Sequence, residues 1–521
     1  MLLAALISII PILLLFVLML AVKMPSYKSA VLTLLVTALL GLFVAPAIGI
    51  MPERFADASV WGVVGWSVVE GTLKAVFPIL IIILMAIYSY NVLVESGSIE
   101  VIKKQFMSFT DDRGVLVLMM VWGFGGLLEG MAGFGTAVAI PAAILIGLGF
   151  KPIFSALVAL LGNTVATGFG AVGVPVVTLA NEVAAEGGAT HDAICQISAY
   201  SILQLSPLFI VIPFIILMLT DRKAWLRNLL FALWVGGVSL VTQYFCALYL
   251  GAETPAIIGS IAAIAAILAW AKVIQRKRVK KEKREKGFGM AKTLRAWSVY
   301  ILILVFILVT GALCPPVNAF LKGHLMSNVH LPVIGSGIKF GWISNAGLWL
   351  FLGSVIGGLI QGLTVKKLCL VLAKTLVNLK FTAITIVSLI ALASVMSNTG
   401  MIVALASGLV ALSGNFYPFF APLIGAVGTF VTGSDTSSNI LFGKLQANVA
   451  QQLGLTGSES NWLVAANTTG ATGGKMISPQ SIAIATAACD MKGKDDTILR
   501  KAIPYALIYL VLAGVMVYFA A

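Results

Sequence analysis

The chain has 521 residues, of which 60% are hydrophobic and only 10% charged, with a mean hydropathy of +1.04. A soluble domain is roughly 45–50% apolar and about 25% charged, so a soluble enzyme, a nucleic-acid-binding domain and a disordered chain are excluded. The net charge of +14 does not revive nucleic acid as a partner: eleven of the 34 basic residues fall between Lys272 and Arg295, interleaved with Glu282 and Glu285, which reads as a cytoplasmic loop lying against anionic membrane lipid.

A hydrocarbon core about 30 Å thick needs about 20 apolar residues per helix. In chain order, apolar spans are predicted near 2–22, 29–48, 68–94, 152–180, 194–219, 228–250, 255–271, 297–313, 340–361, 381–397, 462–490 and 502–521. Residues 1–22 lack a basic start and a small-residue cleavage site, so they read as a retained membrane helix rather than a signal peptide. Regions 115–149 and 415–455 are long enough for more than one helix but heavily broken, and each is read as a re-entrant hairpin that enters and leaves on the same side. The expected fold is therefore an all-α polytopic membrane protein with about twelve transmembrane helices, two re-entrant hairpins and both termini outside. Residues 1–271 form a first half, 272–296 the basic cytoplasmic loop and 297–521 a second half. On this topology 28 basic residues lie inside and three (Arg54, Lys322, Lys339) outside, with Lys74, Lys444 and Lys475 left in membrane segments. A bias of that size fits the positive-inside rule, whereas moving one span would turn later loops outward.

The two halves repeat. EGMAGFGTAVAIPAAILIGLGF at 129–150 and ALLGNTVATGFGAVGVP at 159–175 match VTGSDTSSNILFGKLQANVAQQLG at 431–454 and VAANTTGATGGKMISP at 464–479. Gly133 and Thr136 correspond to Gly433 and Thr436, and Asn163-Thr164 to Asn467-Thr468. Asn to Pro is twelve residues in both copies, Asn163 to Pro175 and Asn467 to Pro479. Because one hairpin opens inward and the other outward in this topology, the copies are inverted. Inverted repeats with broken helices are the pattern of secondary transporters, since irregular backbone at membrane depth needs protein or a water-filled cavity to satisfy its polar groups. Close packing of small residues is the plainer alternative, but it accounts poorly for four matched breaks.

No motif for ATP, a metal or another cofactor is present. The three histidines (His191, His324, His330) fall in predicted external loops, and the five cysteines are scattered without a CxxC pair. Ionisable groups at membrane depth are costly and default to functional hypotheses: Glu129 in the first hairpin, Asp435 and Lys444 in the second, and Lys475 in the break GATGGKMISP. Glu70 and Lys74 are spaced for an i, i+4 ion pair.

LLEGMAGFGTAVAIPAAIL, ALLGNTVATGFGAVGVP, TGSDTSSNILFGKLQ and AANTTGATGGKMISPQSIA resemble the lactate permease family of bacterial secondary transporters, over roughly residues 20–520. The resemblance implies a protein of the bacterial cytoplasmic membrane that takes up L-lactate, often with D-lactate and glycolate, in symport with protons. It also implies a scaffold domain, a transport domain holding both hairpins, and usually an elevator-like dimer. The residues agree in kind, because a monocarboxylate needs a cation, hydroxyls and helix N-termini. The substrate is expected between the hairpin tips and the two Asn-Thr breaks, held by Thr136, Asn163, Thr164, Thr436, Ser437, Asn467 and Thr468, with Lys475 or Lys444 as the cation. Glu129 or Asp435 is expected to carry the proton. The alternatives are structural: Lys475 as partner of Asp435, Lys444 as a rim lysine, Glu129 as a hairpin anchor and Asp435 as a helix N-cap. A sodium-coupled carboxylate transporter and a carboxylate-binding channel or sensor remain open as other functions.

Overall fold

The computed structural model describes residues 2–107, 112–131, 133, 135–184, 188–275, 289–310, 314–335, 337–491 and 494–520. Among them, ten helices are long and apolar enough to cross a membrane, with further apolar helices that are shorter. Why these helices sit at a bilayer is visible on Trp225–Leu250. It buries Asn228, Phe231, Val235, Gly236, Ser239 and Gln243 and leaves Leu226, Leu230, Leu233, Trp234, Val241 and Phe245 exposed. Asn228, Ser239 and Gln243 face protein while six large apolar side chains face outward, the reverse of a soluble helix.

Both expected hairpins are packed helix pairs. In the first, Arg113–Met131, carrying a π turn at Met119–Phe124, turns back into Thr136–Gly147. In the second, Tyr417–Thr432 turns into Asp435–Gln452. The matched glycines make the turns, Gly133 at φ 62° and Gly433 at φ 72°, where a Cβ would be strained. The Arg113–Met131 helix is almost wholly enclosed by protein. The second hairpin lies close on Ser458–Lys475: a Cβ on Gly470 or Gly474 would run into the backbone of Pro422 or Ala426, so glycine permits this approach.

The broken segments differ between copies. The first is interrupted from Asn163 onward, helical at Pro152–Gly162 and Thr164–Thr167, with Ala171, Val172 and Gly173 all left-handed before the helix resumes ahead of Pro175. In the second, helix Ser458–Lys475 runs unbroken through Asn467-Thr468, and the interruption falls at Met476–Ser478, just before Pro479–Ala488. The break in this copy thus lies immediately before the matched proline, which starts a helix well at its first position, and not at the matched asparagine.

Other expectations are corrected in detail. The span expected at 68–94 is part of a longer run, Val60–Glu95, bent at Phe77 (φ −120°, ψ 108°), where the following proline disfavours α geometry. The span expected at 381–397 is the far end of Val365–Asn398, which a turn at Gly400 joins to Met401–Ser413, a helix not foreseen. The fold is not purely helical. Met326–His330 and Gly337–Gly341 form an antiparallel β-hairpin, and the span expected at 340–361 begins only at Ala346.

Candidate functional site

A cavity of about 240 Å³ opens where the two copies meet. The first copy supplies Glu129, Gly133, Gly135 and Thr167 to Pro175 of its hairpin and broken helix. The second supplies Thr432 to Ser437, Lys475, Gln480, Ser481 and Ile484. The remaining wall is Tyr27, Ile83 and the stretch Phe381 to Ile386 of the Val365–Asn398 helix. Four helices begin here: Thr136–Gly147, the segment resuming after Gly173, Asp435–Gln452 and Pro479–Ala488. Each brings N–H groups without intrahelical partners and the positive end of its dipole. Two come from each copy.

Three charged side chains face this space. Glu129 and Asp435 are each 2% exposed, and the charge of Lys475 acts on both. Lys475 forms no ion pair within 4.0 Å with a described carboxylate. Among the described residues, Glu129 Oε2 and both oxygens of Asp435 have no hydrogen-bond partner, although the Asn163 amide faces Glu129 and the Thr429 hydroxyl faces Asp435. Buried polar atoms left open are uncommon. Asp435 is not the N-cap of its helix. Ser434 is, its hydroxyl accepting from the Ser437 amide at 3.2 Å, so the carboxylate is free for another role.

Of the residues foreseen from sequence, Glu129, Asp435, Thr436, Ser437 and Lys475 line the cavity. Thr136 begins its helix at the rim, and its side chain lies outside the described residues. Asn163 and Thr164 lie behind the lining, where Thr164 donates to the Leu161 carbonyl at 2.8 Å. Asn467 and Thr468 belong to a buried lattice. Asn439 Nδ2 donates to Thr468 Oγ1 at 2.6 Å and to the Pro175 carbonyl at 2.9 Å, Asn467 Nδ2 donates to Asn439 Oδ1 at 2.9 Å, and Gln446 Nε2 donates to Asn467 Oδ1 at 3.2 Å. This lattice ties the second hairpin to both broken helices. Lys444 lies elsewhere, donating to Ser397 Oγ at 3.1 Å beside a second polar cluster. There Glu70 pairs with Lys74 at 2.8 Å and accepts from Asn398 Nδ2 at 2.8 Å, and Arg54 donates to Asn398 Oδ1 at 3.0 Å. Sequence reasoning missed Tyr27, Thr167, Phe381, Thr382, Thr385, Gln480 and Ser481. Pro479 as a helix start was the available signal for Gln480 and Ser481; nothing marked the Phe381 wall within its apolar run.

Comparison with known proteins bears on what this site belongs to. The model of the family described as L-lactate permease matches residues 4–521. The chain belongs to the L-lactate permease family. It is 40% identical to an L-lactate permease of Streptococcus iniae over 74% of this chain and 80% of that protein. It is 33% identical to a glycolate permease of Escherichia coli over 99% and 95%, and 32% identical to an L-lactate permease of Bacillus subtilis over 99% and 96%. In fold it is similar to the YdaH transporter of Alcanivorax borkumensis, at a TM-score of 0.53 and 14% identity over 94% of this chain and 98% of that one. The chain is thus a multi-pass membrane protein of a permease family.

Proposed function

We propose that the protein takes up L-lactate, and with it D-lactate and glycolate, each moving with a proton through the cavity between the two copies. One observation carries the reading: four helix N-termini, two from each copy, converge with Lys475 on one cavity. Helix N-termini favour an anion, and broken half-helices facing a central site are how inverted-repeat transporters hold anionic substrates. The substrate carboxylate lies against Lys475 and the turn at Ser434–Ser437. The two open carboxyl groups, Glu129 and Asp435, exchange the proton. An anion entering against a negative-inside potential is opposed by about 2.3 kcal/mol per 100 mV, and a co-transported proton removes that opposition. The wall from Tyr27 and Phe381 to Ile386 lies outside both copies, which supports an elevator-type movement of hairpins and broken helices along a scaffold, in a homodimer.

The test is uptake by protein reconstituted into liposomes, with proton and sodium gradients imposed separately. Accumulation of labelled L-lactate above equilibrium under an inward proton gradient alone is expected. Accumulation that follows only a sodium gradient replaces the coupling ion. Flux that never exceeds equilibrium under either gradient rules out the symporter and leaves a channel or sensor.

A further inference from the structure

The cavity is larger than lactate needs, and its lining is partly apolar. Its charged end is Lys475 with Asp435, beside the helix starts. Its lining also carries Ile83, Phe381 and Ile386, with Tyr27 tilted against Phe381 at a centroid distance of 4.5 Å. Thr382 and Thr385 share that lining, and Thr385 donates its hydroxyl to the Phe381 carbonyl at 2.9 Å. A substrate with its carboxylate at the lysine shares the cavity with these apolar side chains, against which a group on its 2-carbon would pack. A cavity of about 150 Å³ accommodates benzene, roughly 25 Å³ per heavy atom. Lactate has as many heavy atoms as benzene, so the 240 Å³ present here leaves room for about three more.

We infer that this cavity also takes 2-hydroxy carboxylates with longer, branched alkyl side chains, of the size of 2-hydroxy-4-methylpentanoate, the branch packing on Ile83, Phe381 and Ile386. That acid has nine heavy atoms, or about 225 Å³ on the same scale. The inference rests on the proposed carboxylate site and deepens it: the hairpins recognise the 2-hydroxy acid head, and the wall outside the two copies sets how large a side chain is admitted. Hydrophobic pockets grade substrates by size rather than excluding them sharply, so acids of intermediate length also enter.

The experiment uses the full chain in liposomes that accumulate labelled L-lactate, with labelled 2-hydroxy-4-methylpentanoate as probe. The branched acid is expected to accumulate under the same proton gradient and to compete with lactate. Ile386→Phe, and independently Ile83→Phe on another helix, are expected to lower the ratio of branched-acid to lactate uptake by about tenfold or more. Vesicles that accumulate lactate but neither accumulate the branched acid nor show competition overturn the inference. So does a ratio unmoved by both substitutions, since the side chain then lies elsewhere. If lactate itself is not accumulated, the underlying carboxylate-transport reading fails, and this inference falls with it.

Discussion

Replacing Lys475 tests the proposed anion site most directly. Three charged side chains reach the cavity, two carboxylates and one lysine, and Lys475 is the cation acting on both acids. A hydrogen bond to a charged group contributes about 1.5–3 kcal/mol, and each 1.4 kcal/mol is about a factor of ten. Lys475→Gln should therefore weaken lactate binding by roughly 10- to 150-fold, and Lys475→Arg should lose less. The assay is equilibrium binding of labelled lactate to purified protein, with thermal unfolding measured on the same preparation. The substitution also leaves Glu129 and Asp435 without a compensating cation. Glu129→Gln added to Lys475→Gln restores the net charge of the lining, so the double variant should bind better than Lys475→Gln alone. Lactate binding by Lys475→Gln at the native affinity, in folded protein, would refute the anion-partner role. A double variant no better than the single would show that net charge at the cavity does not govern binding.

Asn398→Ala removes contacts to Arg54, Ser67 and Glu70 at 3.0, 3.1 and 2.8 Å. Leaving buried Glu70 short of a partner should cost about 1–3 kcal/mol, read as a lower unfolding midpoint in detergent. Gly470→Ala would drive a methyl into the Pro422 backbone, whereas a methyl on Gly237 meets nothing. The first should destabilise by about 1–3 kcal/mol or more and the second should leave the midpoint level or raised, as measured by thermal shift. Between the membrane helices, burial pushes the Glu253 carboxyl above its ordinary range, and Lys322 opposes this. A raised carboxyl makes the folded state bind protons more tightly than the unfolded one, so stability falls as pH rises from the unfolded value, about 4.3, through the folded one. Glu253→Gln should therefore stabilise at neutral pH, with the gain vanishing in pH-dependent melts below about pH 4.

How much of this was legible in the sequence depended on what each residue answers to locally. Gly133 and Gly433 mark turns because a positive φ is a local demand, whereas the helix pairs around them were expected from two long, broken apolar regions. Glu129, Asp435 and Lys475 stood out because charge at membrane depth needs a reason. Asn467 and Thr468 were harder to interpret, because a polar pair in an apolar helix reads alike whether it faces a ligand or a buried partner. Here Asn439 and Gln446 satisfy them from a hairpin that no local pattern ties to that position. Lys444 was ambiguous for the same reason, since its neighbour Ser397 is 47 residues away. The wall at Phe381 was invisible because its residues are what a lipid-facing helix would also carry. Only the fold places Phe381, Thr382, Thr385 and Ile386 on the cavity.

The arrangement of charge bears on why coupling would be obligatory under the proposed function. With Lys475 charged and both acids ionised, the cavity lining carries a net charge of minus one, and a bound monocarboxylate raises this to minus two. Uncompensated charge in a low-dielectric interior is costly by several kcal/mol per ion, and Glu129 and Asp435 are each only 2% exposed. A single resident proton shared between Glu129 and Asp435 brings the empty lining to neutrality. A second proton, arriving with the anion, does the same for the loaded one. Both forms then cross at low electrostatic cost, and the two mixed forms, anion without proton and proton without anion, do not. Two acids beside one lysine thus give a physical basis for moving one proton with each monocarboxylate.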